Sequence, residues 1–234
     1  MRVLAIGAHP DDIEIACSGT LAKCVKRGDE VFVCHLCSGN LGHVVIPPEK
    51  LIPMRAAEAK KAGALAGITV MWGGFHDLDI FTEDKASRDK VVEIIKQVNP
   101  DVIITHDPDD YMPDHTACSK LVFDASFAAT LPNYATKAPN AAKLVPIYYM
   151  DTLAGVNFNP TEYVDITDYI DLKLKMLNCH ESQVVWMRDH DGIDFPDMVK
   201  TCSRYRGYHC GAAYAEGFRQ CQVYLKGTTE RLLP

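Results

Sequence analysis

The chain has 234 residues, 47% apolar and 24% charged, with a formal net charge of −7; such a length holds one domain, or one domain with an extension, and buries a sizeable core. No stretch approaches the roughly 18 continuous apolar residues of a membrane span, and the acidic balance without any Lys/Arg cluster argues against nucleic acid. Residues 1–20 show no basic segment followed by an apolar stretch and a cleavage site, so a signal peptide is not expected and a cytoplasmic protein acting on a small molecule is.

Parallel strands need crossovers and, buried on both faces, read as continuous apolar runs. That pattern predicts strands at about 2–8, 30–37, 68–72, 101–106 and 146–151, with helices between them at about 18–27, 49–66, 86–98 and 115–129. Gly28 and Asp29 stop the first helix, Ser87 caps the third, and Asn99-Pro100 ends it because proline disfavours helix in the residue before it. Residues 131–145, with Pro132 and Pro139, read as an irregular excursion suited to a lid or to a contact in a homo-oligomer. After Thr152 the pattern changes. A short strand covers Tyr163, Val164, Asp165 and Ile166; a helix begins near Thr167 with Leu174 and Leu177 on one face; a Gly-, Asp- and aromatic-rich segment spans 186–217; and a closing strand runs from Cys221 to Leu225. The expected fold is α/β, a Rossmann-like three-layer sandwich with a mostly parallel sheet and a C-terminal extension. It forms a single domain over 1–234, in which 1–151 is the core and 152–234 a subdomain completing the pocket.

Nine cysteines without the spacing of a disulfide framework are expected as reduced, buried thiols. The one C-x-x-C, Cys34 to Cys37, lies in a strand-like run where positions three apart face opposite ways, which makes it a poor redox or zinc pair.

The densest chemistry follows the first predicted strand: Ala8-His9-Pro10-Asp11-Asp12-Ile13-Glu14. A second cluster, Asp110-Tyr111-Met112-Pro113-Asp114-His115, follows the fourth. Ligands of open parallel sheets bind beyond the carboxyl ends of the strands, so both clusters fall on one edge. Imidazole and carboxylate suit Zn²⁺ or another divalent transition metal such as Fe²⁺, and three protein ligands with one open position is a catalytic arrangement. His9, Asp12 and His115 supply such a set, which leaves Asp11 free as a base. A polar turn and helix cap would use the same residue types, but two carboxylates and a histidine in four residues repel strongly unless a cation is present.

With Gly19-Thr20 and Pro113-Asp114-His115, the first motif resembles the PIG-L/LmbE family of zinc-dependent N-acetylglucosaminyl deacetylases. Arg55 and Glu58 resemble the family's Arg-x-x-Glu helix, and Lys173 to Gln183 with Ala215-Glu216-Gly217-Phe218-Arg219 look like the ending of its bacterial members. The resemblance implies His9, Asp12 and His115 as zinc ligands, Asp11 as general base, and Asp114 as the group that orients a histidine or the base. It also implies that Arg55 contacts a substrate hydroxyl or phosphate-like group and that Asp77 contacts the sugar. One position departs. Many members carry histidine three residues before the last ligand, where it helps stabilise the oxyanion; this chain has Met112, whose thioether cannot donate a proton. Tyr111, His106, His76 and His180 are the candidate replacements, His180 foremost.

The expected reaction is hydrolysis of an N-acetyl group on an amino sugar or its conjugate, giving acetate and a free amine. Two other readings remain open: a zinc hydrolase of another acyl amide or ester, and a non-catalytic α/β module binding a small molecule. The absence of G-x-G-x-x-G or a Walker pattern in the first loop weighs against the latter as a nucleotide binder.

Overall fold

Five apolar runs become five parallel strands: β1 (Arg2–Gly7), β2 (Glu30–Cys37), β3 (Thr69–Phe75), β4 (Val102–Thr105) and β5 (Ile147–Met150). They were obtained as a computed structural model, which describes residues 1–224. Between them run α1 (Asp12–Ala16), α2 (Ser18–Arg27), α3 (Pro48–Ala66), α4 (Lys85–Val98) and α5 (Pro113–Ala128). Each strand boundary lies within three residues of its expected place, and the two terminal strands β6 (Glu162–Asp165) and β7 (Ala215–Gln220) join the same sheet. The strand order is β3-β2-β1-β4-β5-β7-β6, with β5–β7 and β7–β6 antiparallel and the rest parallel. The α/β class and the mostly parallel sheet are those the sequence predicts.

Alternation along β1 shows how the layers form. Leu4 and Ile6 pack with Val91, Ile95, Leu121 and Val122 of α4 and α5 on one face. Val3 and Ala5 pack with Leu21, Ala62 and Met176 on the other, the last from α6 (Ile170–Leu177).

The C-terminal part differs from expectation in detail. Segment 186–217 holds the end of α7 (Glu181–Asp191), all of α8 (Phe195–Cys210) and the start of β7. The closing strand is therefore Ala215–Gln220 and not 221–225; residues 221–224 are outside it, and Leu225 lies outside the described residues. Glu216 and Gly217 hid this strand, because a charge and a glycine read against a buried one. Both are forced by neighbours: a Cβ on Gly217 would meet Pro160 Cγ at 2.8 Å, and Glu216 is clasped by buried donors.

Residues 131–145 are irregular as expected, but they are tied to α4, with the Tyr134 hydroxyl donating to Asp89 at 2.6 Å and the Ala138 N–H to Glu93 at 3.0 Å. All nine cysteines are free thiols, seven of them buried. Cys34 and Cys37 both pack in the same core cluster instead of on opposite faces, beside a shift in the β2–β3 register between His35 and Cys37. Among the described residues, no helix is long and apolar enough to cross a membrane.

Candidate metal centre and active site

From β1 the chain crosses to β2 on one side, while β4 lies on the other. The crevice at this reversal is where an open parallel sheet binds ligands. His9, Asp11 and Asp12 follow β1 here, and residues 106–115 follow β4. Asp11 sits at φ 120°, a strained backbone for a residue with a Cβ, of a kind that clusters at functional sites. Arg55 of α3 holds it: one guanidinium nitrogen donates to the Pro10 carbonyl and, at 3.1 Å, to Asp11 Oδ2, while the other donates to the Gly39 carbonyl at 3.2 Å. Burial pushes the Asp11 carboxyl up to about 6, with the Arg55 charge opposing the shift and Asp12 adding to it.

His9, Asp12 and His115 place one donor atom each within 4.8 Å of one another. Each histidine is fixed by a carboxylate behind it. His9 Nε2 lies 3.0 Å from Asp114 Oδ2, and His115 Nδ1 lies 3.0 Å from Asp110 Oδ2. With those nitrogens donating to the carboxylates, loss of the second ring proton would leave His9 Nδ1 and His115 Nε2 as the lone pairs available to a metal. Asp12 Oδ2 accepts the His9 backbone N–H at 2.6 Å. Its Oδ1 faces His115 Nε2 at 3.3 Å, yet the buried Nε2 makes no hydrogen bond. Once deprotonated, that nitrogen and the carboxylate converge as two acceptors, and this donor set fits a divalent transition metal.

A second group, His106, Asp110 and His115, is equally compact. Its donors are already engaged: Asp110 holds His115 Nδ1, and His106 Nε2 accepts the Ala8 N–H at 3.0 Å. Burial, with the His115 charge adding to it, pulls His106 down to about 4, so this ring is neutral and stacks on His115 with centroids 3.9 Å apart.

These groups form the inner end of a cavity of about 350 Å³, whose wall includes Leu41, Arg55, Asp77, Leu78, Met112, Gln183, Met187 and Phe195. Of the residues singled out in the sequence, His9, Asp11, Asp12, Arg55, Asp77, His106, Met112, Asp114 and His115 all reach this wall. Asp77 spends its carboxylate on the backbone N–H groups of Gly39 and Leu41, both at 2.8 Å, and so shapes the loop after β2. Tyr111 is 52% exposed and stands outside the lining, as does His76. His180 is sealed from the cavity at 0% exposure, with Nε2 3.3 Å from Glu14 Oε2. Burial lowers its pKa, but the charge and hydrogen bonding of Glu14, with the Asp11 charge adding to them, together outweigh it and raise the group. It pairs with Glu14 and stands between the end of α6 and the start of α7. Of the four candidate replacements only His106 lines the same wall as Met112, and its Nε2 contacts the Ala8 N–H at 3.0 Å and Asp12 Oδ2 at 3.1 Å.

Sequence reasoning left Asp110 without a role, although it stood in the second cluster five residues before His115. It also missed Gln183, Met187 and Phe195, which the chain brings in from α7 and α8.

Residues 4–126 match the family model described as PIG-L, GlcNAc-PI de-N-acetylase. The chain is 28% identical to a diacetylchitobiose deacetylase from Thermococcus kodakarensis, over 93% of this chain and 82% of the relative. Among solved structures it resembles the N,N'-diacetylchitobiose deacetylase from Pyrococcus horikoshii, with a TM-score of 0.80 and 26% identity over 94% of this chain and 83% of that one. It also superposes on the 4-carboxy-2-hydroxymuconate hydratase GalB from Pseudomonas putida KT2440, with a TM-score of 0.82 over 99% of both chains, but at 20% identity this likeness shows the fold alone. With the family model matched over more than half of its length, the chain belongs to the PIG-L family.

Proposed function

We propose that this protein is a metal-dependent hydrolase that removes the acetyl group from an N-acetyl amino sugar or its conjugate. The observation that carries the reading is a strained, buried carboxylate, Asp11, beside the donor set His9, Asp12 and His115 at the inner end of the cavity. The deacetylases that the chain resembles along most of its length support it.

Zn²⁺ or Fe²⁺ held by His9 Nδ1, Asp12 and His115 Nε2 would supply Lewis-acid polarisation of the acetamide carbonyl and acidification of water. Asp11 takes the proton of the attacking water and returns it to the departing amine. Its pKa, pushed up to about 6 by burial, suits a group that must both accept and release a proton near neutrality. Arg55 fixes the carboxylate in place, and Asp114 and Asp110 fix the two rings. Met112 on the wall offers no proton donor, so no side chain at that position serves the oxyanion.

The test is Asp11→Asn. It removes the proton acceptor and keeps the side-chain volume, so kcat on N-acetylglucosamine conjugates should fall by roughly 10²- to 10⁴-fold with bound zinc, read by elemental analysis, unchanged. Near-full activity in that variant would remove Asp11 from the mechanism. A parent protein that hydrates a 2-hydroxymuconate and leaves N-acetyl sugars intact would overturn the deacetylase reading.

A further inference from the structure

The cavity has two ends of different chemistry. The buried one carries Asp11, Asp12, Asp77 and Asp114 with the imidazoles; the more exposed one is walled by Leu41, Leu78, Leu153 and Met187. Leu41 and Leu78 are 55% and 61% exposed. Neither is a loosely held surface leucine. The Leu41 N–H is clasped by Asp77 at 2.8 Å, and the Leu78 N–H by both oxygens of Asp114 at 3.1 and 2.9 Å. Leu78 moreover has φ +66°, a left-handed backbone that a branched apolar side chain rarely adopts. Strain of this kind persists where surrounding structure imposes it, and it clusters at ligand clamps. Here a carboxylate that also orients His9 imposes it, and the result is an apolar side chain displayed at the cavity mouth.

The same wall has no cation to spare. Among the described residues lining it, Arg55 is the only one with a guanidinium or ammonium; it is 2% exposed and committed to Gly39, Pro10 and Asp11. Beyond it, Asp151 is matched in two contacts by Arg206 at 2.5 and 3.0 Å. A carboxylate or phosphate on the outer part of a substrate would lose water and gain no partner, which is costly. An alkyl or aryl group there would bury its surface against four apolar side chains.

Resting on the deacetylase reading, we infer that the natural substrate is an N-acetyl amino sugar linked to an uncharged apolar aglycone, which lies over Leu41, Leu78 and Met187. The site selects against acidic conjugates. Selection comes from what the wall lacks as much as from what it offers.

The experiment compares three probes on the zinc-loaded protein: free N-acetylglucosamine, its octyl glycoside and its glycoside with malate, a dicarboxylate. The octyl glycoside should exceed the free sugar in kcat/KM by at least about tenfold, the effect of one or two methylenes in an apolar pocket, and the malate glycoside should fall below it. Turnover of the malate glycoside equal to or above that of the octyl glycoside overturns the inference. Leu78→Gly suits the positive φ and keeps the fold while removing the side chain; it should lower the octyl-to-free ratio severalfold, and an unchanged ratio counts against Leu78. If no probe is hydrolysed, the deacetylase reading falls by itself. Calorimetric binding of the two amines, octyl glucosaminide and glucosaminyl malate, then decides the aglycone: tighter binding of the octyl compound supports the inference, and the reverse order overturns it.

Discussion

His9 and His115 are held by carboxylates of opposite origin, one from the helix that carries His115 and one from the loop before it. Asp114 was legible in the sequence as an orienting group, and His9, Asp12 and His115 as a donor set that could hold a metal, because these residue types have few other uses side by side. Asp110 was not, since a five-residue separation across a loop and a helix start follows no spacing rule. Asp110→Asn keeps the shape but weakens the hydrogen bond that sets the His115 tautomer. Zinc affinity, read by competition with a chelator, should fall about 10- to 100-fold; an unchanged affinity would mean that His115 needs no such support. In the metal-free protein, burial lowers the His9 pKa but hydrogen bonds to Asp114 and Asp12 outweigh it and raise the group to about 10. For His115 the Asp12 charge and the Asp110 hydrogen bond outweigh burial in the same way, to about 9. Both rings are thus charged at pH 7, and both must lose a proton to bind a metal. Metal uptake at that pH should release about two protons, which calorimetry in buffers of different ionisation enthalpy counts; release of none would remove the histidines from the ligand set. The sign for stability follows from folded pKa values above the ordinary 6.5. The metal-free fold has the full contribution of these imidazoliums below pH 6.5 and loses it as pH rises through about 9 and 10.

Helix α3 shows what an element contributes beyond its own residues. Its extent, predicted as 49–66 and found as Pro48–Ala66, was readable because Gly67 stops it in a left-handed conformation. Its partners were not readable. Arg55 and Glu58 are three apart and so share a face, yet they reach different elements: Arg55 reaches Asp11, and Glu58 the start of α7, where its carboxylate accepts the Ser182 N–H at 2.8 Å and the Ser182 hydroxyl at 2.7 Å. Glu58 thereby acts as a capping group supplied from another helix, and α7 in turn places Gln183 and Met187 on the cavity wall. Glu58→Ala should cost about 1 kcal/mol, the usual worth of a cap, and lower the melting temperature by about 2–4 °C for a chain of this size. Because the base is untouched while α7 loosens, KM should rise more than kcat falls. A kcat loss at constant KM would place Glu58 in the chemistry instead.

At the scale of the whole molecule, the parallel core was visible in sequence because strands buried on both faces need uninterrupted apolar runs. The C-terminal strand was hidden because its defining residue is a buried charge whose partners lie almost two hundred residues away. Glu216 accepts the N–H groups of Gly19 and Thr20, at 2.9 and 2.7 Å, at the start of α2. It also pairs with Lys173, which donates in addition to the Ile15 carbonyl at 2.8 Å. All of this occurs just after the helix that begins at Asp12, so β7 braces the segment that carries Asp12. The two partners are not equivalent. Lys173→Met leaves Glu216 with two backbone donors at a helix N-terminus, where a negative charge is favourable. Glu216→Ala leaves a lysine whose side chain is 1% exposed with one carbonyl, and orphans two backbone N–H groups as well. Breaking a buried pair from one side costs about 3–5 kcal/mol. Glu216→Ala should reach that range in urea unfolding, and Lys173→Met should fall clearly below it. The double variant should be less destabilised than the sum of the two, since with the charge gone from both sides only the unpaired N–H groups remain. Strict additivity would show that the two side chains act independently and that the brace is built from the backbone hydrogen bonds alone.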